Sequence, residues 1–379
     1  MQRYLCIHWF RQLPAGGIKG KKRPVRPKRV WQVICTGSLL QKRLKRWGSA
    51  CQICPMGLRL IVLFLSTTAL QGQTCCSGGV PLSNNLGLPN EGQGSWQIGL
   101  TYDYNNLNTL KAGWQTLDDD ARQRETHSLL INMGYAFSSA WSVEALLTWV
   151  NQTRTITQFE NRNFTETSGI GDGVFLLKYA LFNPVGPNSI LNLGAGTKAP
   201  IGDSDLTTPD GLLITADLQP GSGAWDGIGW ASLAKQTPWR PSGSLAASFT
   251  YRATGKNDAY LNNTATYEFG DELQATVGYT DQVFLWQSVL INPGIVLRYR
   301  KAWQDRIDDQ QIPNTGGEWL FLRPEFAASL TPSLALLGRI ELPLFSYVDG
   351  TQVTPTSRIS LGIRFSHVPK TIVIQNLQL

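Results

Sequence analysis

Few side chains in this 379-residue chain have the type and spacing to carry out a reaction. Of the three histidines, His127 alone stands beside a candidate nucleophile, Ser128. A serine nucleophile needs its histidine base within hydrogen-bond reach. The local pattern is that of a strand, where neighbours point to opposite faces, so the two cannot form a dyad and no enzyme activity is expected. Cys51 and Cys54 have the spacing of a metal or redox pair, but there is no second pair and no βαβ context. The run Gly169-Ile170-Gly171-Asp172-Gly173 looks like a piece of a phosphate loop. A strand follows where a helix is needed, so that reading fails. Asp203, Asp205 and Asp210 offer oxygens of the kind calcium takes, in a spacing that completes no known loop, and residues 201–224 read as an acidic surface loop with order expected from Gln219 to Asp226. No metal and no cofactor are expected.

The remaining chemistry is charge, and its placement follows a period of two. Twelve segments of alternating polarity occupy 95–104, 126–137, 141–151, 169–182, 189–200, 225–236, 244–254, 266–279, 284–300, 317–328, 334–345 and 356–366. In the first, Trp96, Ile98, Leu100, Tyr102 and Tyr104 alternate with Gln97, Gly99, Thr101 and Asp103. Such alternation puts one set on each face of a strand, and about ten tilted residues cross a bilayer. Short turns (138–139, 183–188, 237–243, 280–281, 330–333) alternate strictly with long polar connections (105–125, 152–168, 201–224, 255–265, 301–316, 346–355). The fold expected is all-β: a single up-and-down antiparallel transmembrane barrel of about twelve strands in the bacterial outer membrane, with short periplasmic turns and long extracellular loops. An even strand number puts both ends on the periplasmic side, and an open edge in lipid would leave backbone groups unpaired, so the first and last strands should close the barrel.

Assigning the apolar set to lipid turns Glu144, Asp172, Lys178, Lys198, Arg252 and Glu272 inward. The same parity turns Arg298, Arg300, Arg339, Glu341, Arg358 and Arg364 inward. A charge on the lipid face near the midplane would cost about 2–4 kcal/mol, which fixes the assignment. These groups either line a selective lumen or pair across a narrow one and fill it. In the tenth segment, keeping Arg323 and Glu325 out of lipid places Trp319 and Phe321 in the upper lumen and Leu320, Leu322, Phe326 and Ala328 outside; Trp319 could equally belong to an interfacial girdle. Arginines concentrated on the last strands and Glu144 and Asp172 on the third and fourth suggest a basic wall facing an acidic one, a field that would discourage a hydrophobic plug. On that expectation, Ser at 339 and 364 shifts ion selectivity toward cations.

Taken whole, a net charge of +7 would suggest a nucleic-acid partner. That inference fails on where the charge lies. Residues 1–55 hold thirteen Lys or Arg and no acid, and Glu91 is the first acidic residue. Cutting at Thr74 removes fourteen of the 34 basic residues and none of the 27 acidic ones, leaving about −7. Met56 to Arg59, the apolar run Leu60 to Leu65 and the polar stretch to Gln73 have the order of a secretory signal peptide. Translation is therefore expected from Met56, with 1–55 a basic extension upstream, 56–73 the signal, 74–94 a periplasmic N-terminal segment, 95–366 the barrel and 367–379 a tail. Mass spectrometry of membrane fractions should find no peptide from 1–55 and a first mature peptide near Thr74; a peptide containing Lys28 or Lys42 would refute this. All six cysteines lie before residue 77, in keeping with export.

Several stretches resemble a known family. Ser168-Gly169-Ile170-Gly171-Asp172 with Leu177-Lys178-Tyr179, the run Gly194 to Gly202, the run Leu218 to Asp226, and Pro343 with Asp349-Gly350-Thr351-Gln352 look like the outer-membrane transporters associated with phenol meta-pathway degradation. Cys75-Cys76-Ser77-Gly78-Gly79-Val80-Pro81 looks like a Bacteroidetes-type subgroup. The resemblance covers about residues 75–366. It implies a barrel that passes a small, often aromatic or apolar solute, with outer-membrane lipid and the barrel-assembly machinery as partners. Such barrels end on an aromatic residue of the last strand, whereas here the chain continues from Phe365 to Leu379. The alternative class is a structural or surface-binding barrel that conducts nothing.

Overall fold

The computed structural model describes residues 86–369 except 90, 119–120, 159–160 and 286–288. The proposed extension, signal peptide and most of the tail lie outside the described residues. Twelve barrel strands follow in chain order: β1 (Trp96–Leu107), β2 (Arg122–Ala136), β3 (Trp141–Gln158), β4 in two parts (Asn161–Ile170 and Gly173–Phe182), β5 (Ser189–Ala199), β6 (Asp226–Thr237), β7 (Arg240–Ala253), β8 (Glu272–Asp281), β9 (Val289–Ala302), β10 (Gly317–Thr331), β11 (Leu334–Thr354) and β12 (Ser357–His367). Each pairs antiparallel with its neighbours in sequence. The ring closes where β1 meets β12, in unbroken register from Trp96 opposite His367 to Asn106 opposite Ser357. Every described strand of the wall thus has a partner strand on both sides, as lipid demands.

The alternation in the sequence becomes the two faces of the wall. Along β1, Trp96, Ile98, Leu100 and Tyr102 are exposed while Gln97, Thr101 and Asp103 are buried. The same outward apolar set continues through Leu129, Ile131 and Met133 to Ile359, Leu361, Ile363 and Phe365. Aromatic pairs, Trp96 with Phe365 and Trp141 with Tyr179, sit on this face near the short turns, as a girdle at a membrane interface does. No helix of the described residues is long and apolar enough to cross a membrane. Pro343, which has no N–H to give, stands where the β10–β11 register shifts.

Three expectations about the long connections are corrected. Much of 152–168 is strand: β3 runs on to Gln158 and pairs with the first part of β4. Likewise β11 runs to Thr354 and pairs with Thr109–Gly113. These extensions are rich in Thr and Gln, and Thr is β-branched and suits a strand. They lack lipid-facing alternation because they leave the apolar band. The segment expected at 266–279 enters the wall only at Glu272; Tyr267–Glu268 belongs to a small sheet with Lys256–Asn257, Arg306–Ile307 and Gln310–Gln311. Third, loop 201–224 is not a surface loop over its whole length. Its latter part turns into the barrel, where Ile214 and Ala216 to Ser222 are buried.

Candidate solute passage

The inward charges are organised by neighbouring strands. Asp172, at the break in β4, accepts a bond of 2.7 Å from Lys198 of β5. Lys198 reaches Asp226 of β6 at 3.1 Å, and Arg252 of β7 lies 3.8 Å from Asp226 and 3.3 Å from Glu272 of β8. Arg300 of β9 closes the series on Glu272 at 2.9 Å. Six successive strands therefore carry one belt of charges alternating in sign, three acids and three bases, all but Arg300 nearly fully buried. A buried charge is tolerated when it is paired and hydrogen-bonded, and the alternation provides that for each member.

The belt also holds the inward loop. The Ser222 N–H and hydroxyl donate to Asp172 at 2.9 and 2.6 Å, and Lys198 Nζ donates to the Ser222 hydroxyl. Nearby, Arg124 of β2 donates to the Asp217 carboxylate at 3.0 Å, and Thr167 donates to the Leu218 carbonyl at 2.6 Å. Such docking requires close approach of three backbones. A Cβ on Gly202 would stand 2.7 Å from the Gly171 carbonyl carbon, and one on Gly221 2.6 Å from the Gly202 carbonyl carbon. The three glycine-bearing stretches singled out in the sequence thus meet at one crossing.

On the other side of the belt, Arg298 pairs with Glu341 at 2.8 Å through Nε and lies 4.3 Å over the Phe321 ring. Arg300 lies 4.9 Å over Trp319. Trp319, Phe321 and Arg323 are buried while Phe326 is exposed, the arrangement in which the two aromatics face inward. Ala328, assigned outward by parity, is covered instead, being too small to stand clear of its neighbours. Arg323 pairs with Glu325 at 3.0 Å, and Arg358 with Asp103 at 2.8 Å. Arg339 stands opposite Glu325 in register. The opposed basic and acidic walls are therefore not present: of the last strands' arginines, Arg298, Arg300, Arg323 and Arg358 have acids beside them, and Glu144 and Asp172 have lysines; Arg364 alone meets no carboxylate among the described residues. Local pairing, within a strand or between strands one or two apart, wins because charges a few ångström apart interact far more strongly than charges across a lumen.

A second surprise is apolar. Leu130, Leu146, Val174, Leu176, Ile228 and Trp230 form a buried cluster on the inward face of β2 to β6, with Leu86 packed against it. The chain before β1 enters the lumen from the short-turn end. The Gly87 and Leu88 N–H groups donate to the Glu144 carboxylate at 3.0 Å, Lys178 bridges Glu144 at 2.8 Å and the Leu88 carbonyl at 2.5 Å, and Gln97 donates to the Pro89 carbonyl at 2.9 Å. The field expected to discourage a hydrophobic plug does not operate, since the charges that would make it are paired. The residues the sequence reading missed had a signal: Leu129-Leu130-Ile131, Leu146-Leu147 and Phe175-Leu176-Leu177 break the alternation with consecutive apolar residues, as strands buried on both faces do.

At the long-loop end, Tyr267, Phe269 and Ala216 pack with Tyr260, Ile307 and Ile312. Asp305 lies under them and accepts bonds from Tyr267 at 2.7 Å and the Gly270 N–H at 2.8 Å. Burial, reinforced by nearby Asp217, pushes its carboxyl up to about 6 from 3.8, although the two hydrogen bonds and Arg252 oppose the shift. With the folded value raised, the packed cap is stabilised fully below the unfolded value and loses that stabilisation as pH rises through the window from about 4 to about 6. The protection factors of the 303–316 amides, which divide out the base-catalysed rise in intrinsic exchange, should therefore fall from pH 4 to 6 and then level off. Asp305→Asn should remove that dependence; an unchanged profile in the variant would assign it elsewhere.

His127 is occupied on the outer side: its Nδ1 is hydrogen-bonded to the Tyr102 hydroxyl at 2.7 Å and its ring lies 5.0 Å from Tyr104, while Ser128 is buried on the opposite face. Among known structures, an outer-membrane channel from Pseudomonas putida F1 superposes with a TM-score of 0.59 at 15% identity, covering 76% of this chain and 100% of that one. The protein is an outer-membrane β-barrel. The autotransporter β-domain of Bordetella (TM-score 0.38, 14% identity, 73% of this chain and 100% of that one) and the autotransporter translocator domain of Neisseria meningitidis (TM-score 0.38, 10% identity, 73% and 90%) are more distant. No family model and no curated protein matches the chain.

Proposed function

We propose that this barrel lets a small apolar or aromatic molecule cross the outer membrane passively or by facilitated passage, in the manner of the phenol meta-pathway transporters it resembles, including their Bacteroidetes-type subgroup. The observation that carries the reading is the inward apolar cluster around Trp230. A lumen serving only water and ions has no use for six clustered apolar side chains; Leu86 of the lumen segment covers them here, and once that segment is displaced an apolar solute gains about 25 cal/mol for each Å² it buries against them. The Pseudomonas putida protein is an outer-membrane channel, in keeping with this reading. Catalysis is not part of it, since His127 is held by Tyr102 away from Ser128.

The packed interior favours one competing reading, a closed barrel that serves structure or surface binding: residues 86–89 and 214–222 both occupy the lumen. Liposomes carrying the purified protein separate the two. Entry of a neutral single-ring solute faster than into protein-free liposomes supports passage. Equal rates, with the barrel shown folded by its heat-dependent gel mobility, support the closed barrel.

A further inference from the structure

Among the inward-facing cations of the described wall, Arg364 stands apart. Lys178, Lys198, Arg252, Arg298, Arg300, Arg323 and Arg358 each meet a carboxylate, and Arg339 also has a partner. Arg364 has none among the described residues. Its neighbours in register are Ala335 on β11 and Gly99 on β1, with Asn132 beyond Gly99 on β2. Small residues on both sides leave the guanidinium uncovered, and it opens into a cavity of about 110 Å³. Arg339, Thr101 and Asn132 line the same cavity, and Leu86 and Leu88 of the lumen segment form its apolar side.

We propose that this cavity is a binding site for a small organic anion, a carboxylate joined to a ring or a few carbons. An arginine is always charged and presents a planar fork that fits a carboxylate through two parallel bonds. A partly buried guanidinium without a counter-charge is unfavourable, so an exchangeable anion is the missing partner. The Thr101 hydroxyl adds a donor beside it, and the leucines receive the apolar body. The cavity matches the liquid volume of roughly three to four waters, room for the carboxylate and the carbons next to it, and the rest of a ring extends through its open mouth into the lumen. This deepens the passage reading by naming the class of solute, and rests on it only for the claim that the bound anion goes on to cross.

Benzoate, benzyl alcohol and chloride are the probes, with the full chain purified in detergent. Benzoate should raise the thermal unfolding midpoint in a concentration-dependent way, and benzyl alcohol and chloride at equal ionic strength should not. Arg364→Gln should weaken benzoate binding by at least about tenfold, the loss of one charge-assisted contact, and Arg364→Lys should recover part of it. Equal effects of benzoate and benzyl alcohol, reproduction by chloride, or unaltered binding in Arg364→Gln would each overturn the site. Should Arg364→Gln fail to fold, Asn132→Leu fills the cavity without touching the charge, and benzoate binding that survives it overturns the proposal. Liposome entry keeps the two readings distinct. Benzoate that binds through Arg364 and does not cross defeats passage alone, whereas solute that crosses without regard to Arg364 defeats the anion site alone.

Discussion

Gly87→Val should raise the single-channel conductance of the barrel several-fold. Gly87 has φ +96°, a conformation that costs a non-glycine residue about 1–3 kcal/mol. A Cβ there would stand 2.5 Å from Cζ2 of Trp230, and Trp230 is held in the buried apolar cluster and cannot swing away. The hydrogen bonds to Glu144 oppose release, yet Glu144 keeps Lys178 as its partner when the segment leaves, and the freed amides find water. Strain and collision therefore win, and residues 86–89 withdraw toward the short-turn end. The substitution leaves every wall residue in place, so planar-bilayer recording reads the lumen and not the fold. A variant with wild-type conductance would show that this segment does not narrow the path.

Lys198→Met should cost the barrel several kcal/mol of stability. Lys198 joins Asp172 to Asp226, and both carboxylates would be left buried without it. Removing one partner of a buried pair costs about 3–5 kcal/mol, here with two acids affected. Arg252 lies 3.8 Å from Asp226 and relieves one of them in part; Asp172 keeps only hydrogen-bond donors from Ser222 and Gly202. The urea midpoint of the detergent-folded barrel should fall sharply, and adding Asp172→Asn should restore part of the loss, because the two changes share one interaction. A midpoint within error of wild type would mean that water, and not Lys198, compensates these acids.

The wall was legible in the sequence because lipid on one side and a polar interior on the other impose a period of two. Trp96 to Tyr104 and Ile359 to Phe365 keep it without a break, and β1 and β12 pair as expected. The β3 and β11 extensions were not legible, since water on both faces removes the contrast that alternation records. The inward identity of Glu144, Asp172 and Lys198 could be read from parity, but their partners could not. Parity gives a face, whereas pairing depends on register between strands, which turn lengths of two to seven residues leave open. The opposed-wall expectation failed for that reason. Leu130, Leu146 and Leu176 were passed over because each adjoins an outward apolar neighbour that explained the run by itself. The inward course of 214–222 rests on Asp217 meeting Arg124 across 93 positions, a contact no local pattern announces.

The alternating belt has a consequence for how the wall can be put into a membrane. Its charges lie on consecutive strands, so any hairpin taken from β5 to β8 carries opposite belt charges on its two legs: Lys198 with Asp226, Asp226 with Arg252, Arg252 with Glu272. A hairpin that enters lipid before the ring is complete exposes its future interior face, and a lone charge there is expensive. Neutral hairpins avoid that penalty at each step of growth. The same residues that tie the finished wall together thus make it possible to add the wall two strands at a time, and a sign reversal at one position would trap the chain half-inserted.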